Sequence, residues 1–321
     1  MANPDAAVKW LDKGMEAWEK QAFSKAVRAF TKAIRLAPDQ ISGYYNRALA
    51  FYQWGKKEKA ISDFSRAIEI DPYDAETYNN RGYIYDDLGK LDEALEDFTQ
   101  ALELKPDAGR TYANRGLVYL RQRKLKDARR DLESAVKLEP DFDRSHYYLG
   151  YLNEQQGYLG EAVSDYSEAL ELNPEFFEAY YNRGNVWREM GKFSEAIADY
   201  NQTLALRKSY DKALHNRGSC YFLLGRLEDA ATDVKAALKI NPQNGRAWGT
   251  LAQIFAKKED PKAAFKYLQR GLQRGCPVSE AISNPAFEKM RKDFRFQRLI
   301  DRYRPKRLTA PAGANIAVPA K

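Results

Sequence analysis

Asparagine and arginine stand side by side at five places in this 321-residue chain: Asn46 with Arg47, Asn80 with Arg81, Asn114 with Arg115, Asn182 with Arg183, and Asn216 with Arg217. The interval is 34 residues, doubled once between Asn114 and Asn182. An asparagine amide offers a donor and an acceptor together, so a row of them can pair with successive peptide groups of an extended chain, regardless of its side chains. A guanidinium presents a planar fork that suits a carboxylate. Aspartates answer the arginines at Asp63, Asp97, Asp131, Asp199 and Asp233, with Asp165 facing Leu149 where an arginine is missing. The coincidence of the two sets points to Arg–Asp pairs between helices, within one repeat or across to the next. Such pairs are framework rather than ligand residues, and removing one partner of a buried pair costs about 3–5 kcal/mol.

Groups for covalent or metal chemistry are sparse. His146 and His215 are the only histidines, and neither has a cysteine or carboxylate at metal-ligand spacing or a candidate nucleophile beside it. Cys220 and Cys276 lie far apart and form neither a zinc spacing nor a disulfide framework. No phosphate-binding glycine loop is present. The expectation is a protein that is not an enzyme and holds no cofactor or metal.

The elements that position these residues follow from the 34-residue period. Lines starting at Ala7, Ile41, Ala75, Gly109, Asp143, Phe177, Asp211 and Gly245 align without insertion. They give eight repeats: 7–40, 41–74, 75–108, 109–142, 143–176, 177–210, 211–244 and 245–278. Column 4 is large or aromatic (Tyr44, Tyr78, Tyr112, Tyr180), and column 8 is Gly or Ala throughout (Gly82, Gly116, Gly150). Column 11 is mostly aromatic (Phe51, Tyr85, Tyr119, Trp187), column 20 always Ala, column 24 large (Phe30, Phe64, Phe98, Tyr200), and column 32 usually Pro. Columns 4, 8 and 11 fall on one stripe of a first helix, A, and columns 20, 24 and 27 on one stripe of a second, B. Gly55, Gly89, Gly157, Gly191 and Gly225 stand where helix A needs a left-handed C-cap, and the prolines stop helix B. A single hairpin cannot bury its own apolar faces, so neighbours must stack.

This pattern resembles the tetratricopeptide repeat family. The resemblance covers 272 of 321 residues. It implies an all-α fold, a right-handed α-solenoid of eight helix-turn-helix repeats closed by C-terminal capping helices. It also implies a concave groove lined by the face of helix A that turns away from helix B, namely columns 2, 5, 6, 9, 12 and 13. Several receptors of this family bind peptides with asparagine ladders on that face. The candidate peptide-binding residues here are Asn46, Asn80, Asn114, Asn182, Asn216 and Asn185, with Tyr45, Tyr83, Tyr147, Tyr151 and Tyr181 as side-chain anchors. Tyr148 replaces Asn in the fifth repeat and would split the ladder. The competing reading is that these amides and rings only bond or pack to neighbouring helices. The carboxylate clamp of chaperone-binding relatives is matched in part by Asn185, Asn216 and Arg246, but Tyr181 and Thr250 stand where that clamp has cations.

The ends differ from the middle. Residues 1–6 form a short lead, and repeat 1 has Ala17 and Gln21 where others have an aromatic and Gly. Residues 279–304 alternate apolar and basic positions and are expected to form basic capping helices. Residues 305–321 are rich in Pro, Ala and Gly and are expected to be a disordered tail. From Lys257 to Arg307 there are 15 Lys/Arg against 6 Asp/Glu. That excess raises nucleic acid as a partner, but a solvated face of a capping helix explains it better. No window is long and apolar enough for a membrane span, and the first ten residues carry no apolar signal core. The expected setting is cytoplasmic. The expected function is an interaction scaffold or adaptor whose partner is a protein, held as an extended peptide segment. The alternative is a structural subunit of a multi-subunit assembly, docked by its convex face or its ends.

Overall fold

The computed structural model describes residues 4–304. All regular structure among them is helical. The described residues form two compact units divided after Ala179, and the division falls within a helix rather than at a linker. The tail at 305–321 lies outside the described residues.

In the first unit the hairpins are α1 (Pro4–Glu19) with α2 (Phe23–Leu36), α3 (Ile41–Gln53) with α4 (Lys57–Ile70), α5 (Ala75–Asp87) with α6 (Leu91–Leu104), α7 (Gly109–Arg121) with α8 (Leu125–Leu138), and α9 (Asp143–Gln155) with α10 (Leu159–Leu172). α11 (Phe177–Glu189) follows, and the second unit continues with α12 (Phe193–Leu206), α13 (Asp211–Leu223) with α14 (Leu227–Ile240), and α15 (Gly245–Lys257) with α16 (Pro261–Gln273). α17 (Val278–Ser283), a 3-10 turn (Pro285–Met290) and α18 (Phe294–Tyr303) close the sequence of elements. From α3 to α15, each helix A begins on the first residue of its 34-residue line.

The B-helix columns are buried as their types require. Every column-20 alanine and every column-24 residue, from Phe30 to Leu268, is fully buried. On helix A the buried columns are 3, 8 and 10, not 4, 8 and 11. Thr77, Thr111, Ser145 and Ala179 at column 3 are buried, as are Ile84, Val118, Leu152 and Val186 at column 10. The aromatics at columns 4 and 11 are mostly half-buried and flank the column-7 arginine instead. Column 8 is small because helix B crosses there. A Cβ on Gly116 would lie 2.9 Å from the Leu132 side chain, and one on Gly184 would lie 2.9 Å from Tyr200.

Each A-to-B turn needs one left-handed residue. Gly55, Gly89, Gly157, Gly191 and Gly225 supply it with φ between 74° and 80°. Gln21, Arg123 and Glu259 hold the same place at φ 55–59°, a conformation that costs a side-chain-bearing residue roughly 1–2 kcal/mol.

The last hairpin is closed as its sequence suggests. Asp260 caps α16 by accepting from the Ala263 amide at 2.9 Å, with Pro261 in the first turn. Phe287, Met290, Phe296 and Ile300 then pack on Ala252, Ala264, Leu268 and Leu272.

Candidate functional site

The column-7 arginines are half-buried brackets on buried aspartates. Arg115 donates from Nε to Asp131 Oδ2 at 2.6 Å and from Nη2 to Oδ1 at 3.1 Å, while Nη1 reaches Thr99 Oγ1 of the preceding repeat at 3.2 Å. Arg47, Arg81 and Arg217 repeat this with Asp63 and Thr31, Asp97 and Ser65, and Asp233 and Asn201. Arg183 forks onto Asp199 at 2.7–2.8 Å. The pairs therefore lie within one repeat, and at Arg47, Arg81, Arg115 and Arg217 the third guanidinium nitrogen ties that repeat to the helix B before it. Flanking rings complete the slot, with Arg115 5.6 Å from the Tyr112 centroid and 5.9 Å from that of Tyr119. Burial would lower the Arg115 pKa, but the Asp131 carboxylate holds it above its usual value.

Repeat 5 solves the same problem without an arginine. Asn153 sits at column 11, where other repeats carry an aromatic, and its Nδ2 donates to Asp165 Oδ2 at 2.7 Å. Its Oδ1 accepts from Arg129 of the preceding repeat at 2.7 Å.

The outer face of helix A carries the expected amides and tyrosines, half-buried rather than free-standing. In the first unit Asn80 Nδ2 donates to the Tyr45 hydroxyl at 2.8 Å, and Asn114 Nδ2 to Asn79 Oδ1 at 3.1 Å. Asn46 instead donates to Ser42 O of its own helix at 2.9 Å. Tyr45 rests edge-on against Phe64, 5.6 Å between centroids, and its hydroxyl donates to Glu76. Burial, reinforced by Glu76, lifts the Tyr45 phenol well above its ordinary value. Tyr147 packs on Tyr166 and Phe176, at 5.7 and 4.6 Å. Tyr83 meets Tyr52 edge-on at 5.9 Å, and Tyr151 is exposed.

In the second unit Asn216 Nδ2 donates to the Tyr181 hydroxyl at 3.2 Å and to Asn185 Oδ1 at 2.8 Å, and Asn185 Oδ1 also accepts from the Tyr200 hydroxyl at 2.8 Å. Tyr181 wedges against Tyr200 and Tyr210. Asn182 occupies the matching place on α11. His215 bonds Thr250 Oγ1 at 3.0 Å, and burial, with Arg188 and Arg246 nearby, pushes its pKa down to about 4.

Most of these cross-links share one separation that sequence reasoning missed. Asn80–Tyr45, Asn114–Asn79, Asn216–Tyr181, His215–Thr250, Tyr52–Asp87 and Arg121–Asp86 are all 35 residues apart. Successive A helices are offset by one residue beyond the repeat, so column 5 faces column 6 and column 12 faces column 13. Complementary polar types at a separation of 35 were the available signal. Arg121 Nη1 reaches Asp86 Oδ1 at 2.7 Å, and burial lifts the Asp86 carboxyl despite that partner. Asp87, hydrogen-bonded by Lys57, is held below the usual range. Beside this row a cleft of about 320 Å³ opens between Glu76, Asn79, Lys105 and Arg110.

Among the described residues no group of three or more His, Cys, Asp and Glu is placed to hold a metal ion. No described helix is long and apolar enough to cross a membrane.

Family models described as tetratricopeptide repeat match residues 10–40, 41–74, 75–108, 113–174, 177–210 and 211–244. The chain belongs to the tetratricopeptide repeat family. These matches stop before residue 245, so the α15–α16 hairpin stands on its geometry and not on a model match. Tetratricopeptide repeats are protein-interaction scaffolds, generally without catalysis. Solved structures share the fold. A tetratricopeptide repeat protein from Parabacteroides merdae is 19% identical with a TM-score of 0.58, covering 81% of this chain and 99% of its own. A chain of the APC/C hetero-tetramer Cut9–Hcn1 is 17% identical with a TM-score of 0.60, over 92% of this chain and 55% of its own. The pilF protein of Pseudomonas aeruginosa is 19% identical with a TM-score of 0.57, over 71% and 97%. No curated protein matches the sequence.

Proposed function

We propose that this tetratricopeptide scaffold holds extended segments of a partner protein along the helix-A face of each unit, with Asn80 and Asn114 meeting the peptide backbone in the first and Asn182 and Asn216 in the second. Tyr45, Tyr83, Tyr147, Tyr151 and Tyr181 set side-chain preference, with Asn46 and Asn185 at the margins. The observation that carries this reading is the repeated 35-residue stitch. One hydrogen of Asn80 and of Asn114 is spent on the preceding helix, at 2.8 and 3.1 Å. That bond fixes the amide, which still has a second hydrogen and a carbonyl oxygen with which to meet a peptide group. Fixed donors bind with less ordering cost than mobile ones. Rings held by neighbours, such as Tyr147 between Tyr166 and Phe176, supply contact area without loss of rotamer freedom.

The test is a set of overlapping twelve-residue peptides covering a candidate partner, titrated against the full chain. Backbone pairing predicts tolerance of side-chain changes and loss of affinity when peptide nitrogens are methylated. N80A/N114A and N182A/N216A are each expected to weaken binding about tenfold, the loss of one or two hydrogen bonds, with melting temperature measured alongside. Full affinity in both folded variants would sink the reading and favour docking as a subunit of an assembly through another face.

A further inference from the structure

The Arg bracket joins three places sixteen residues apart: a small polar residue on the preceding helix B, the arginine, and its aspartate, as in Asn201, Arg217 and Asp233. In the last hairpin the same three places hold Lys235, Leu251 and Tyr267. Repeat 5 also lacks its arginine, but there Asn153 and Arg129 occupy the gap. Nothing equivalent fills it here, and a pocket of about 280 Å³ opens between α14, α15 and α16.

Its floor is apolar. Leu238 and Leu251 line it beside Trp248 and Tyr267, whose rings stack at 5.8 Å with 24° between planes. The indole nitrogen is spent on Pro242 O at 2.9 Å. Its rim is cationic. Lys235, Lys239 and Arg270 line the opening, and no carboxylate does. The Arg270 guanidinium lies 5.0 Å and that of Arg274 5.8 Å from the Trp248 centroid. None of Lys235, Lys239 and Arg270 makes an ion pair among the described residues. In the five bracketed repeats the slot carries one charge of each sign, whereas here it carries several positive charges and none negative.

We infer that this pocket, on the side of the hairpin opposite the proposed peptide face, docks an acidic segment of a partner protein, with one large apolar side chain entering between Leu238 and Leu251 and flanking carboxylates meeting Lys235, Lys239 and Arg270. The volume suits one such side chain and falls below the usual range for small-molecule sites, about 300–1,000 Å³. Charge decides the occupant. The chain's own residues 305–321 carry Lys306, Arg307 and Lys321 and no acidic side chain, so their charge does not complement the rim. A nucleic acid needs a continuous basic track and an open ring face. Glu228 and Asp229 begin α14 and Asp260 caps α16, while Trp248 is covered by Tyr267 and Arg270.

The probe is an acetylated, amidated peptide with one phenylalanine flanked on each side by two glutamates and an aspartate, fluorescein-labelled and read by anisotropy at low salt against the full chain. A second peptide has lysines in place of the acidic residues, and a third probe is a twelve-residue oligo-dT. The acidic peptide is expected to bind and the basic one not. K235E/R270E is expected to weaken binding at least about tenfold. L251R/Y267D rewrites the slot to the pattern of the other repeats and is expected to abolish binding while the melting temperature holds. Equal binding by the two charge-opposed peptides, unchanged binding by either variant, no binding by the wild type, or preferential binding of oligo-dT would each overturn the assignment. The outcome is separable from that of the N80A/N114A test, because no residue is shared.

Discussion

Replacing Arg115 by leucine tests whether the arginine columns hold the repeats together. Asp131 has a side chain 1% exposed, and its two oxygens take Arg115 at 2.6 and 3.1 Å. Removing the guanidinium strands a buried carboxylate, which costs about 3–5 kcal/mol. Arg130 comes within 3.6 Å of the same carboxylate but is largely exposed, so the lower end, about 3 kcal/mol, is expected. The assay is urea denaturation followed by far-UV circular dichroism. With a slope of roughly 2 kcal/mol per molar urea, the midpoint of the affected transition falls by about 1.5 M. R115L/D131L removes both charges, leaves nothing stranded, and is expected to lie within about 1 kcal/mol of the parent. R115L/Y119N installs the repeat-5 arrangement, in which Asn153 donates to Asp165 at 2.7 Å, and is expected to recover about 1–2 kcal/mol of the loss. A cost below about 1 kcal/mol for R115L, or a double apolar variant no better than the single one, would refute the reasoning.

R123G relieves the left-handed strain at φ 58°. Set against glycine's greater freedom when unfolded, it is expected to stabilise by about 0.5–1 kcal/mol, read as a rise in melting temperature. G245A drives a Cβ into the Arg274 carbonyl oxygen. Because that atom is backbone, the cost is expected to be about 1–3 kcal/mol, and a neutral effect in a melt would count against the α15–α16 packing described. His215 has a folded pKa of about 4 against 6.5, so the unfolded chain takes up the proton first. Its contribution is full above pH 6.5 and lost as pH falls toward 4, about 3 kcal/mol over that window. The stability difference between wild type and H215Q should therefore change sharply between pH 6.5 and 4, whereas parallel curves would contradict it.

The repeat, its helices and its left-handed caps were legible because each is carried by a column of one residue type. The Arg–Asp brackets were legible for the same reason, down to their absence at Leu149. The buried stripe of helix A was misread. Aromatic columns 4 and 11 looked like core, yet their rings flank a guanidinium and stay half-exposed, while Thr77, Thr111 and Ser145 are buried. Residue type alone does not show which side of a helix meets the preceding repeat. The stitches of the candidate site depend on the one-residue offset between A helices, a tertiary quantity that no single repeat encodes. The pocket at Lys235, Leu251 and Tyr267 is defined by what its slot lacks, and it becomes visible only beside the filled slots. The unit division at residue 179 leaves no trace in columns that run through it unbroken.

The segment after α16 has a consequence for assembly. Stacking repeats is a heterologous interaction, in which the back of one hairpin accepts the front of the next, and such surfaces generate open filaments unless something occupies the last one. Phe287, Met290, Phe296 and Ile300 occupy it here, covering Ala252, Leu268 and Leu272. With that plug in place, neither a ninth hairpin nor a second copy of the chain finds an open apolar face to stack on at the α15–α16 hairpin.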